Sequence, residues 1–348
     1  MEALTRAAAD PANSRYPFQM GVPALRDAIV AWMGGRFGVD LDPFAEVLPL
    51  IGSKEGIALL PQVFMNRGDW AVVPDPGYQA YAGGALIAKG RVHRIPLRPE
   101  NDFLIPLEDI PADILKRTRI LYLNYPNNPT AASAPRAYLE DVVAFCHAND
   151  LLLVFDNAYS EIAFDGYRPP SILELDGARD IALEFHSFSK TYNMTGWRLG
   201  WVAGAASAVA GLRKVKSFVD TGIFRAVQWA GVAALESHGG WVPGNVATFQ
   251  ERRDAAVRAL EAAGFDVTIP QATMYLWVPV PEGVASRDFA LQAVEKEGVI
   301  VMPGGALGDG GEGFFRVALT VSSARLTEAA ARLGRVREGL TRTVGAAP

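Results

Sequence analysis

Residues 151–160 read LLLVFDNAYS and residues 181–190 read IALEFHSFSK. Each opens as a run of leucine, β-branched and aromatic side chains and closes in carboxylate, amide, phenol, hydroxyl or amine. A run that is apolar at nearly every position, rather than at every second one, is a strand buried on both faces, as a parallel sheet covered by helices requires. Further runs of this kind are WAVVPD from Trp70, RILYLNYP from Arg119 and RLGWVAG from Arg198, and helical patterns such as YLEDVVAFCHAND lie between runs. Together they predict an α/β fold with one mostly parallel sheet wrapped by helices.

Beyond Val202 the texture changes. KVKSFV and RAVQWAGVAALESH read as helices, and NVATFQERRDAAVRALEAAG as a long helix able to bridge two domains. After Gly264 the short strands VTIP, MYLWVPV, VIVMPG and FFRVALTV, flanked by SRDFALQAVEKEG and LTEAAARLGRVREGL, predict a smaller α+β lobe. The expected organisation is an arm or N-terminal part of the small lobe over 1–34, a large ligand-binding domain over 35–240, and a linking helix with the C-terminal small domain over 241–348. A chain of 348 residues, half of them apolar, exceeds the size at which a single core stops growing.

Composition narrows the function. With 33 Lys and Arg against 38 Asp and Glu, the net charge of -5 lacks the basic excess that neutralises nucleic-acid phosphates, so no nucleic-acid partner is expected. The start MEALTRAAADPANS has no apolar export signal, and no run approaches the ~18 apolar residues of a membrane span. The single cysteine, Cys146, can form neither an internal disulfide nor a multi-thiolate metal site and reads as a core residue, which fits a reducing cytoplasm. No G-x-G-x-x-G follows a strand, which speaks against a nicotinamide-dependent oxidoreductase.

Ligands of open α/β sheets bind beyond the carboxyl ends of the strands. There the chain places Asn127, Asn128 and Thr130 after one run, Asp156, Asn157 and Tyr159 after the next, and Ser187, Ser189 and Lys190 after a third. Amide, carboxylate with phenol, and hydroxyl with amine describe one site with hydrogen-bonding, anionic and nucleophilic members. Each alone reads more often as a cap or turn residue than as a catalyst. Lys190 stands in SFSKTYNMTGWRLG with Arg198 eight residues on, a setting in which an amine can be held with depressed basicity. Gly52-Ser53-Lys54-Glu55-Gly56 is a glycine turn entering a helical pattern, a place for an anion on backbone N–H groups, and Asp75-Pro76-Gly77-Tyr78 puts an aromatic beyond a strand end, where it can stack on a planar ligand. His186 beside the lysine reads as a satisfied buried imidazole, and Arg225 either as a surface or interface charge or as facing the cleft.

GSKEG, PDPGY, NYPNNPT, FDNAYSEIAFDGY, FHSFSKTYNMTGWRLG and FRVALTVS, in that order across nearly the whole chain, resemble the fold-type I aminotransferases that use pyridoxal phosphate (PLP). The wording of DNAYSEIAFDGY, EFHSFSKTYNMTGWR and ALTVS is most similar to the LL-diaminopimelate aminotransferases, then to aspartate and succinyl-diaminopimelate aminotransferases; a β-lyase shares the fold and most of the site. The resemblance implies a Schiff base between Lys190 and PLP, Asp156 at the pyridine nitrogen, Tyr159 and Asn128 at the 3′ oxygen, and Tyr78 on the ring face. It places Ser53, Lys54, Ser187 and Arg198 at the phosphate, with Tyr16 reaching that phosphate from a neighbouring subunit of a homodimer. Arg316, with Asn128, would clamp the α-carboxylate of an amino acid or 2-oxo acid such as 2-oxoglutarate. The chain departs from the family pattern in starting just before SRYP, where members carry a further segment over the cleft, and in Ala131, where a glycine is usual. The first departure leads us to expect weakened closure over substrate; the second concerns backbone conformation.

Overall fold

The computed structural model describes residues 1–344. Seven strands, β1 (Val47–Leu50), β2 (Trp70–Asp75), β3 (Arg91–Pro96), β4 (Thr118–Leu123), β5 (Leu152–Asp156), β6 (Ala182–Ser187) and β7 (Gly200–Gly204), form one sheet in the order β1-β7-β6-β5-β4-β2-β3. Only β7 runs against its neighbours. Alternate side chains of the central strands feed two cores. Leu121, Leu123, Leu153 and Phe155 pack with the helices Pro23–Phe37 and Arg136–Ala148 on one face; Ile120, Tyr122, Val154 and Phe185 pack with the helices Ser53–Leu59 and Gln79–Ile87 on the other. Helices on both faces are the reason these strands read as continuously apolar.

Two strands were not legible as apolar runs. β1 has four residues and contains Pro49, and β3 is an edge strand whose Arg91, Arg94 and Pro96 are exposed. Residues 23–34, grouped by the sequence with the arm, put Leu25, Ile29 and Met33 into the core beneath the large sheet. Cys146 is fully buried in that core, and burial pushes its thiol up to about 12.

The C-terminal lobe carries an antiparallel sheet in the order β8-β10-β9, with β8 Tyr275–Pro279, β9 Met302–Pro303 and β10 Phe314–Ala318. It packs with the helices Ser286–Glu297 and Ser323–Val344 and with the 25-residue helix His238–Ala262 around a third core that includes Phe249, Leu260, Leu276, Phe289 and Phe315. Three expectations are corrected. VTIP is not a strand: Val267 is buried in this core, but Thr268 and Ile269 are exposed and no ladder forms. VIVMPG contributes only the two residues of β9, and Ser217-Phe218-Val219 lie past the helix Ala206–Lys216.

Candidate active site

β4, β5 and β6 are adjacent in the centre of the sheet, so the residues following their carboxyl ends converge. Because β7 is antiparallel, Arg198, which precedes it, arrives at the same edge; Ser53 arrives there after β1 and Tyr78 after β2. Tyr275 and Arg316 come across from the small lobe. The result is one cavity of about 990 Å³, lined by Ser53, Lys54, Tyr78, Asn128, Asp156, Tyr159, Ser187, Ser189, Lys190, Arg198 and Arg316. Of the residues the sequence placed in the site, Tyr16 lies outside it, and Asn127, Thr130 and Asn157 lie behind it, Asn127 and Thr130 bonded to each other and Asn157 to Glu184.

Asp156 is its electrostatic centre. The side chain is buried; Oδ2 accepts a 2.8 Å hydrogen bond from the Tyr81 hydroxyl, while the buried Oδ1 has no partner. Burial pushes the carboxyl up to about 6, against the opposing pull of the Tyr81 hydroxyl, His186, the Ala158 amide and Lys190. Tyr81 is itself fixed by stacking on Tyr122, with ring centroids 4.9 Å apart. Beneath lies His186, stacked 4.8 Å from Trp201, its Nε2 2.8 Å from Glu184 Oε1 but off the line a hydrogen bond needs. The fully buried Glu184 accepts from Asn157 Nδ2, Ser171 Oγ and the Ile172 amide. These donors and His186 hold its carboxyl below the usual range despite burial. His186 is thus a buried imidazole with a carboxylate partner and does not line the cavity.

The other end of the cavity is built to take an anion. Ser187 caps the short helix Phe188–Thr191 by accepting from the Ser189 amide. Arg198 has a left-handed backbone (φ 55°); its Nη1 donates to the Thr195 carbonyl at 2.8 Å and lies 3.5 Å from Ser189 Oγ. Gly52, at φ 72°, leaves room for that guanidinium: a Cβ there would overlap Arg198 Nη2. Lys54 Nζ sits 5.6 Å from the Tyr78 ring centroid. Between the two ends stands Lys190, for whose amine no hydrogen bond or ion pair is found among the described residues.

Arg316 is the one charged residue of the otherwise apolar β10. Its Nη1 donates to Asn128 Oδ1 at 2.6 Å, its guanidinium lies 4.3 Å over the Tyr275 ring, and Nε is buried without a partner. No carboxylate pairs with it among the described residues, so its fork remains available to a ligand carboxylate. Asn128 is held in turn, because its amide N–H donates to Asn124 Oδ1 and Asn124 Nδ2 donates to the Asp156 carbonyl. The Tyr159 and Tyr275 hydroxyls are 3.3 Å apart.

Tyr16 is 72% exposed and lies outside its own chain's cavity. Arg225 does not line the cleft either; it donates to the Tyr16 and Ala12 carbonyls and ties the arm down. Three residues of the site were missed: Tyr81, Tyr275 and Asn124. Tyr81 had a signal, one helical turn after Tyr78 in PGYQAY, whereas Tyr275 enters only because β8 pairs with β10, opposite Ala318.

Residues 1–333 match the family described as aminotransferase class I and II. The chain belongs to that family. It is an enzyme that transfers amino groups, and membership implies dependence on PLP. It is 50% identical over 333 residues to an LL-diaminopimelate aminotransferase of Desulforudis audaxviator, covering 96% of this chain and 85% of the relative. It is 47% identical to the enzyme of that name from Nitratidesulfovibrio vulgaris, covering 97% and 87%. Among solved structures it superposes with a TM-score of 0.91 on a probable N-succinyldiaminopimelate aminotransferase from Thermus thermophilus, at 38% identity and 96% and 90% coverage. These likenesses bear out the aminotransferase fold read from the motifs. Among the described residues no helix is long and apolar enough to cross a membrane.

Proposed function

We propose that this aminotransferase holds PLP with its ring nitrogen on Asp156 and its phosphate among Ser53, Lys54, Ser187, Ser189 and Arg198, and that it draws amino groups from LL-diaminopimelate for a 2-oxo acid such as 2-oxoglutarate. One observation carries the cofactor reading: a buried carboxylate oxygen without a donor, Asp156 Oδ1, at the floor of a large cavity that also holds a free lysine amine. Such an oxygen needs a proton donor facing it, and a protonated ring nitrogen is one. The substrate reading rests on relatives of that name at 45–50% identity.

Bound PLP supplies an aldehyde that joins an amine and a ring that accepts the electron pair left when a Cα proton departs. The side chains do the remainder. Asp156, ionised opposite the ring nitrogen, would keep a positive charge on it. Asn128 and Tyr159 would hydrogen-bond the ring oxygen, and Tyr78 would pack on the ring face. Arg316, oriented by Asn128 and Tyr275, grips the α-carboxylate and so aims the Cα–H at Lys190, whose amine takes that proton and returns it.

The functional unit we propose is a cytoplasmic two-fold homodimer. The exposed Tyr16, Phe18, Phe218 and Phe224 give the arm and the loop beside it an apolar surface for a second copy, with Tyr16 reaching the partner's phosphate. Sedimentation tests this: a stable monomer with full activity refutes it.

The function is tested by a half-reaction screen. PLP-loaded protein is mixed with LL-diaminopimelate, its N-succinyl derivative, glutamate, aspartate, alanine and aromatic amino acids, and the visible absorbance of the cofactor is followed. LL-diaminopimelate should bleach it fastest among the primary donors, and Lys190→Ala should abolish multiple turnover. Bleaching by none of them refutes the reading; faster bleaching by the succinyl compound moves the substrate to that derivative. Pyruvate release from a cysteine conjugate would instead identify a β-lyase.

A further inference from the structure

Outside the cavity, and among the described residues, one basic side chain is buried completely. Lys216, the last residue of the helix Ala206–Lys216, has no exposed side-chain surface. Its Nζ donates to both oxygens of Glu55, at 2.8 and 2.9 Å, and to both oxygens of Asp220, at 2.9 and 2.8 Å. An ammonium buried this deeply is tolerated only with such partners, and a second carboxylate is one more than neutrality needs. Burial raises the Glu55 carboxyl to about 7, as expected for two acids sharing one cation.

What Glu55 does explains the arrangement. Its Oε2 accepts the Ile51 amide at 2.8 Å, and its own amide donates to the Gly52 carbonyl at 3.2 Å. Glu55, which follows the Ile51–Lys54 turn, therefore holds the start of it at both Ile51 and Gly52; the turn presents Ser53 to the cavity, and its Gly52 makes the seat for Arg198. Asp220 grips the arm: its carbonyl accepts from Gln19 Nε2 and its Oδ1 from the Gly222 amide.

We propose that Lys216 is a positioning residue for the phosphate end of the cofactor site, acting through Glu55 on the turn that carries Ser53 and seats Arg198, and bracing the arm from the same cation. This rests on the reading of that end as the phosphate site. Lys216 touches no ligand; its effect is to keep a backbone turn in one path.

The test compares two probes of the same site, PLP and pyridoxal, which lacks the phosphate. Loss of general stability weakens both alike, whereas a displaced phosphate turn lowers only the first, so the ratio of the two affinities is the readout. Dissociation constants are measured by fluorescence titration of the cofactor-stripped full chain. Glu55→Leu removes the acceptor for Ile51 while leaving Lys216 paired with Asp220, so this variant keeps its buried cation compensated. It should lower the ratio about tenfold or more. Glu55→Gln, whose amide oxygen can still take the Ile51 N–H, should keep the ratio of the unaltered protein. Lys216→Met should lower the ratio, and Glu55→Gln in the Lys216→Met background should restore much of it. An unchanged ratio in Glu55→Leu overturns the proposal. If the unaltered protein binds PLP no better than pyridoxal, the phosphate reading itself falls, a result separate from failure of the Lys216 argument.

Discussion

Replacing Asp156 by asparagine should make the cofactor-free protein more stable while disabling it as an enzyme. The carboxyl stands at about 6 in the folded chain against a usual 3.8, so the fold holds this proton more tightly than the unfolded chain does. Below pH 3.8 both states are protonated and the residue costs nothing. Between 3.8 and about 6 the unfolded chain releases the proton first, and above that window the fold carries a penalty of about 3 kcal/mol. Asparagine removes the charge and can still accept from the Tyr81 hydroxyl. Its NH₂ then occupies the place of the unpartnered Oδ1, which returns about 1–2 kcal/mol of the gain. The net expectation is a gain of about 1–2 kcal/mol at pH 8, gone near pH 5 and turned into a small loss as the pH falls toward 4. Urea unfolding of the stripped proteins at pH 8 and pH 4.5 measures it. With saturating PLP the order should reverse, since the carboxylate regains a cationic partner, and turnover of the variant should fall about 100-fold or more. A variant no more stable than the unaltered chain at pH 8, or equally stabilised at both pH values, would refute the claim that this carboxylate is held at a cost for its ligand.

Ala131 sits at φ 60° and is buried; Ala131→Gly should relieve about 1 kcal/mol of backbone strain, partly offset by the lost methyl, raising the unfolding free energy measured in urea by a net ~0.5 kcal/mol. Gly52→Ala should push Arg198 from its seat and weaken PLP binding about tenfold or more, seen as faster cofactor loss on dialysis against phosphate. Arg316→Leu should raise KM for amino and oxo acids about 100-fold while cofactor affinity stays near that of the unaltered chain, as steady-state kinetics and fluorescence titration would show.

The large sheet was legible because its central strands are covered on both faces and so carry no polar alternation, and because function forces polar groups onto their carboxyl ends. Asp156, Asn128 and Lys190 were visible for that reason without any partner being known. β3 was hidden by the same logic, since an edge strand exposes Arg91 and Arg94 and reads as a loop. Arg198 follows no parallel strand and was drawn to the site by its spacing from Lys190 and by the family resemblance; the structure supplies the physical reason, the reversed direction of β7.

Contacts between remote segments leave no local pattern. Tyr275 reaches Arg316 through strand pairing, and Asn124 joins Asn128 to Asp156 through the neighbouring strand's backbone. Lys216 is the extreme case. In KVKSFV it looks like a lysine on a solvated helix face, yet it is buried because Glu55, 161 residues earlier, meets it there. Burial of a charge depends on the partner and not on the neighbours in sequence, so a buried ion cluster close to a binding site is the kind of feature that only three-dimensional structure reveals. Such a cluster is also expensive to maintain without a use, and that is the physical reason for assigning Lys216 a part in holding the cofactor's phosphate.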